Sequence, residues 1–198
     1  MLNHFLNNKS RLLFAKTLHD LAAPLGALNL CIDDIKSALP DSSDMIESSI
    51  ENLSKRITYW RIMLTGKENS PSFSDAANAI RSLAKLKSVE IVFCEANEYQ
   101  GVYVRLLLAF SMVAIESLPR GGKITIDADN GVVTAIAAHD TKCLITKELA
   151  DSITNEIQEP TSRHALGILI YDLAKSCNAS VKLEHESRSL MLSLQIGK

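Results

Sequence analysis

His19-Asp20 is the pair in this sequence whose residue types and setting best fit chemistry. An imidazole is a nucleophile near neutral pH, and an adjacent carboxylate can orient or polarise it. Lys16, one helical turn earlier, offers a charge to a phosphoryl group. Ala22, Ala23, Gly26 and Ala27 leave a shaved surface just past His19, onto which another backbone could pack closely. Pro24 has no amide hydrogen to give the carbonyl of Asp20, so it should bend or loosen a helix one turn beyond the histidine. A lone exposed histidine is more often an ordinary surface residue; its company singles this one out.

A heptad pattern positions that pair. Phe14, Leu18, Leu21, Leu25, Leu28, Ile32, Ile35 and Leu39 alternate steps of four and three, as a helix with one apolar seam requires. With Leu18 at a and Leu21 at d, His19 falls at b and Asp20 at c, both projecting from the bundle. The break at Pro40, Asp41 and Ser42 is followed by the same alternation at Ile46, Ile50, Leu53, Ile57, Trp60 and Leu64. Two helices joined by a short turn run antiparallel, as a hairpin. Apolar residues off the seam (Leu12, Leu13, Tyr59, Ile62, Met63) exceed what one hairpin hides, so dimerisation into a four-helix bundle is expected.

The remainder changes character. Residues 1–65 hold one glycine, whereas the other seven of the chain's 8 follow, together with most of the strand-like sequence. Beyond a Gly66–Pro71 linker, Ser74 or Asp75 can cap a helix to about Lys87, and Val89–Cys94 is a short β-branched strand. Val102–Leu118 reads as a largely buried helix closed by Pro119, Arg120, Gly121 and Gly122. Ile124, Ile126 and Ala128 alternate up to a hairpin turn at Asn130-Gly131, and Val132–Ala137 returns. Helices at Thr146–Ile157 and Arg163–Cys177 precede strands at Val181–Glu184 and Leu190–Ile196. The expectation is α+β, with helices on one face of one sheet, and two domains, 1–66 and 71–198.

Composition excludes several classes. The 198 residues carry 21 Lys and Arg against 23 Asp and Glu, a formal net charge of -2, with no basic stripe for a nucleic acid and no polybasic membrane anchor. The longest apolar run, Leu106–Ile115, is too short to span a bilayer. Asn7, Asn8, Lys9 and Arg11 occupy the place of a signal peptide's apolar core, and Cys31, Cys94, Cys143 and Cys177 read as buried thiols of a cytoplasmic protein. His139-Asp140, like His19-Asp20, spells a dipeptide of metal-dependent phosphohydrolases. His4, His164 and His185 lie in unrelated contexts, so no metal site is expected.

Leu18-His19-Asp20-Leu21-Ala22-Ala23-Pro24-Leu25 resembles the H box of the dimerisation and phosphotransfer domain of two-component histidine kinases, and His-Asp followed by Pro-Leu-Gly-Ala is particularly similar to the ChpT-type histidine phosphotransferases of the alphaproteobacterial cell-cycle phosphorelay. The resemblance implies a Bergerat-type, histidine-kinase ATPase-like second domain, but a degenerate one. The metal-binding box needs asparagine, and Leu106–Glu116 has none. Where an adenine-binding Asp followed by two glycines would stand, the chain reads His139-Asp140-Thr141-Lys142, and Ser162–Gly167 keeps a single glycine. Leu118-Pro119-Arg120-Gly121-Gly122 is similar to the helix-to-strand junction of the transferases.

The implied function is a dimeric phosphotransferase that relays a phosphoryl group between receiver-domain aspartates through His19. Asp20 would hold the ring tautomer, Lys16 would offset phosphate charge, and Lys16, Ala23, Gly26 and Ala27 would meet the partner. No cofactor is expected on this chain; Mg²⁺ would come on the response-regulator receiver, one donor being a hybrid kinase's receiver. The alternatives are an ATP-dependent kinase core with a diverged nucleotide site and a non-catalytic receiver-binding module.

Overall fold

The computed structural model describes Leu13, Lys16, Thr17, Asp20, Leu21, Pro24 and Ala27, then residues 41–64, 72–96, 101–129 and 132–196. His19, Ala23, Gly26, most of the first heptad seam, Pro40, the Gly66–Pro71 linker and the Asn130-Gly131 turn lie outside the described residues.

The seven described N-terminal positions are all helical. Helix α1 spans Asp41–Leu64, so Asp41 and Ser42, expected in the turn, form its first residues. Acceptor side chains suit a helix start, where backbone amides lack intrahelical partners. Helix α2 (Phe73–Lys85) begins two residues earlier than expected because Ser72, rather than Ser74 or Asp75, is its cap. Ser72 Oγ accepts from the Asp75 amide at 3.1 Å.

Strand β1 (Val89–Ala96), helix α3 (Val102–Glu116) and strand β2 (Gly122–Asp129) form a parallel crossover unit. Strand β3 (Val132–Ala138) pairs antiparallel with β2, and its Asp129↔Val132 register leaves two residues for the connection. Helix α4 (Lys147–Thr154), a 3₁₀ turn at Ser162–His164, helix α5 (Ala165–Ser176), β4 (Ala179–His185) and β5 (Ser189–Ile196) complete the chain. The sheet order is β1-β2-β3-β5-β4.

Ile124, Ile126, Val133, Ala135, Ala137, Leu190, Leu192 and Leu194 line the covered face of the sheet. Every residue of α3 from Leu106 to Ile115 is buried, as expected of a helix that is apolar all round. Its one hydroxyl there, Ser111 Oγ, donates to the Leu107 carbonyl at 2.7 Å. At the junction into β2, Gly121 and Gly122 take φ of +83° and +137°. A Cβ on either would stand 2.7 Å or less from a backbone oxygen, so no side chain fits.

Two expectations need correction. Cys94 is exposed and Cys177 half-buried; of the described thiols, Cys143 alone is in the core. Phe93 turns toward the helices on β1, so its neighbour Cys94 must face away. The second correction concerns the hairpin. Tyr59, Trp60 and Met63 are at most 3% exposed and join Leu13 in the same core cluster as the sheet and α3. The off-seam residues Tyr59 and Met63 are therefore buried within a single chain and do not by themselves call for a second copy.

Tyr59 ties the hairpin to the long helix: its Oη donates to the Leu108 carbonyl at 2.5 Å. Burial, then the charge of Glu116, raises the phenol pKa well above its usual value. An unfolded tyrosine ionises near about pH 10, so the group's contribution is complete below that pH and is lost as pH rises beyond it. Tyr59→Phe is expected to cost about 1 kcal/mol at pH 7 and to flatten the fall of the urea midpoint above pH 10. A fall as steep as that of the parent protein would contradict this.

Candidate functional site

Of the residues expected to act, Lys16, Asp20 and Ala27 are described, and the structure joins the first two through a third that the sequence did not single out. Lys16 Nζ lies 3.3 Å from both Oδ1 and Oδ2 of Asp20 and 3.2 Å from Oε1 of Glu116. The side chains are 22% exposed for Lys16, 10% for Asp20 and 28% for Glu116. Neither Lys16 nor Asp20 thus projects freely into solvent: both turn toward α3. Ala27 is half-buried on the same stretch.

The arrangement has a local cause. Lys16 and Asp20 are one helical turn apart and meet on one face. Glu116 is the last residue of α3, where the helix dipole is negative and disfavours an anion. A cation shared between Glu116 and Asp20 offsets that cost. Burial alone would lower the Lys16 pKa, but the charges of Glu116 and Asp20, with hydrogen bonds to both, outweigh it and raise the pKa. Lys16 is a charged ammonium across the neutral range, and its cation is already committed within the chain.

A lone carboxylate at a helix end is ordinarily solvated, and Glu116 is instead paired with Lys16. The usable signal was its isolation: a lone charge closing a helix of buried residues must find either water or a partner. Sequence spacing could not name that partner, because the pair lies a hundred residues apart.

Pro24 lines a small cleft with Ser49, Asn52 and Arg56 of α1, which puts the N-terminal helical stretch beside that helix as the hairpin reading requires. A larger cleft, ≈ 360 Å³, opens between Lys16, Glu116, Thr146, Leu149, Ser162 and Arg163. Arg163 Nη1 donates to Glu148 Oε1 at 3.0 Å, and the Thr146 hydroxyl accepts from the Leu149 amide as the cap of α4. Gly167 serves helix packing: a Cβ there would meet Ser152 Oγ at 2.0 Å and the Leu149 carbonyl at 2.9 Å.

Of the described histidines, His139 and His164 brace local turns and His185 contacts a distant loop. His139 Nδ1 accepts from the Thr141 amide, His164 Nδ1 accepts from the Thr161 amide, and His185 Nε2 lies 3.1 Å from the Cys143 carbonyl. Among the described residues no group of three His, Cys, Asp or Glu is placed to hold a metal ion.

The family model for the histidine phosphotransferase C-terminal domain matches residues 73–189. The chain belongs to the histidine phosphotransferase family, of ChpT type. A solved structure of a bacterial phosphotransferase superposes on this family member with a TM-score of 0.83, covering 95% of this chain and 96% of that one. At 18% identity the likeness is one of fold. Two histidine kinases align over most of the chain with lower agreement. Acinetobacter baumannii AdeS has a TM-score of 0.47 at 12% identity, covering 90% of this chain and 97% of that one. The kinase domain of Erythrobacter litoralis EL346 has 0.46 at 8%, covering 92% and 95%. No curated protein matches the sequence. Phosphotransfer is thus the family's business, and among the described residues no helix is long and apolar enough to cross a membrane.

Proposed function

We propose that this phosphotransferase relays a phosphoryl group between receiver-domain aspartates in a two-component phosphorelay, with His19 as carrier. An imidazole nitrogen attacks the phosphorus of an aspartyl phosphate, the P–O bond to the carboxyl breaks, and the aspartate leaves as carboxylate. The phosphohistidine then passes its group to a second receiver by the reverse step. Mg²⁺ on the receiver supplies most of the charge stabilisation, so this chain contributes a positioned nucleophile and no cofactor. Asp20 keeps the ring in the attacking tautomer. Ala23, Gly26 and Ala27 give the receiver a close approach. One donor would be the receiver of a hybrid kinase, and the protein would work as a cytoplasmic homodimer.

The observation that carries this reading is that a domain of the phosphotransferase family holds, through Glu116, the Lys16–Asp20 pair, and in the sequence His19 immediately precedes Asp20. The test is to mix the protein with a phosphorylated receiver domain and follow the label. Acid-labile, alkali-stable label on this chain is expected; label that never leaves the receiver would favour a docking module.

The kinase reading has the ≈ 360 Å³ cleft in its favour, a volume ordinary for a small ligand. Its chemistry argues otherwise. Lys16 is shared by Asp20 and Glu116, Arg163 is paired with Glu148, and Gly167 packs closely against α4. A triphosphate entering there would lose water without fixed donors to replace it. We therefore read the second domain as a degenerate Bergerat fold that does not take ATP. Millimolar Mg-ATP is expected to leave the melting temperature unchanged. Micromolar affinity by calorimetry, or labelling of His19 from ATP, would restore the kinase.

A further inference from the structure

We propose that Glu116 is a positioning residue for phosphoryl transfer: through Lys16, it fixes the carboxylate of Asp20, the residue that follows His19 in the sequence, which makes the second domain part of the transfer apparatus. The inference rests on the reading of His19 as phosphoryl acceptor.

An i, i+4 lysine-aspartate pair on a helix surface is weak alone, because water competes for both charges and the long side chain has many rotamers. Here the ammonium is held from a second side. Glu116 ends a helix whose preceding ten residues, Leu106–Ile115, are all buried, so its backbone is anchored in the densest part of the core. Lys16 Nζ lies 3.2 Å from Glu116 and equally far, 3.3 Å, from both oxygens of Asp20. An ammonium held at equal distance from both oxygens restrains the rotation of that carboxylate. Asp20 is chemically bonded to the residue that must present its imidazole, so a carboxylate free to rotate would give up tautomer control. Glu116 touches neither the reacting atoms nor the receiver in this account; it acts through Lys16.

The test uses the full-length protein and a phosphorylated receiver domain in single-turnover transfer. The parent protein, His19→Ala, Glu116→Gln, Glu116→Asp, Lys16→Met and the Lys16→Met/Glu116→Gln double variant are compared at several receiver concentrations. Circular dichroism and melting temperature confirm that each is folded. Glu116→Gln is expected to lower the rate at saturating receiver by roughly tenfold or more, the scale on which small misplacements of a reacting group act. The half-saturating receiver concentration should stay within about twofold, because docking is untouched. Glu116→Asp should recover much of the rate, and the double variant should be no slower than Lys16→Met, since both remove the same linkage.

An unchanged saturating rate for Glu116→Gln would overturn the proposal. So would additive losses in the double variant, or a defect confined to half-saturation. If the parent takes no label, or His19→Ala keeps it, the His19 reading itself falls and this proposal with it. A parent that labels at His19 beside an unaffected Glu116→Gln rejects the positioning role alone.

Discussion

Replacing His19 by alanine will leave a folded protein that takes no phosphoryl group from a phosphorylated receiver. Removing the nucleophile of a covalent mechanism is the one change that positioning elsewhere cannot offset, and a loss of at least about a thousandfold is expected. The described alternatives are poor nucleophiles in their settings. The Nδ1 atoms of His139 and His164 already accept backbone amides, and His185 Nε2 faces the Cys143 carbonyl. The heptad puts His19 at b, off the seam, and circular dichroism checks that the alanine variant is folded. The check is phosphoramidate label after acid and alkali treatment of parent and variant side by side. Alkali-stable label persisting on His19→Ala would move the carrier to another residue.

Local signals made much of the second domain legible. Alternation at Ile124 and Ile126, and again at Leu190, Leu192 and Leu194, located two strands because a half-buried strand requires a period of two. The apolar run through Leu106–Ile115 located the central helix, and Pro119, Arg120 and the glycine pair marked its end. Boundaries were less legible, since a cap depends on which hydroxyl meets which amide: Ser72 outcompeted Ser74.

The site was legible only where its determinants are local in sequence. Lys16 and Asp20 could be paired by helical spacing, but the heptad gave Asp20 an outward position without knowing that a third element packs there. Glu116 draws both toward α3, and that long-range contact is invisible to a periodicity argument. Tyr59 and Met63 show the same limit. Their apolarity was correctly read as a demand for burial, and the surface that meets it is the chain's own second domain rather than another subunit.

What remains uncovered on α1 is half of its seam, Ile50, Ile57 and Leu64, while Trp60 is in the core; from those three follows the second large effect: the parent protein should be a dimer at micromolar concentration, and Ile50→Asp/Ile57→Asp a folded monomer. Ile50 is 50% exposed, Ile57 47% and Leu64 45%, at intervals of seven along one face of the helix. Regularly spaced large apolar side chains left in water mark a partner helix. Neither isoleucine belongs to the single-chain core, so aspartate there costs the monomer little. In a two-fold dimer each substitution is made twice, and four buried isoleucines at about 1.5 to 3 kcal/mol each would give way to four carboxylates that resist burial. Counting only part of that loss, the dissociation constant should rise at least about a thousandfold, each 1.4 kcal/mol being tenfold. Met63→Asp serves as contrast: Met63 is 2% exposed in the core, so that change should unfold the protein rather than separate copies. Light scattering with circular dichroism distinguishes the two. A monomeric parent, or a double-aspartate variant that remains dimeric, would remove the four-helix bundle from the account and leave the exposed seam to another partner.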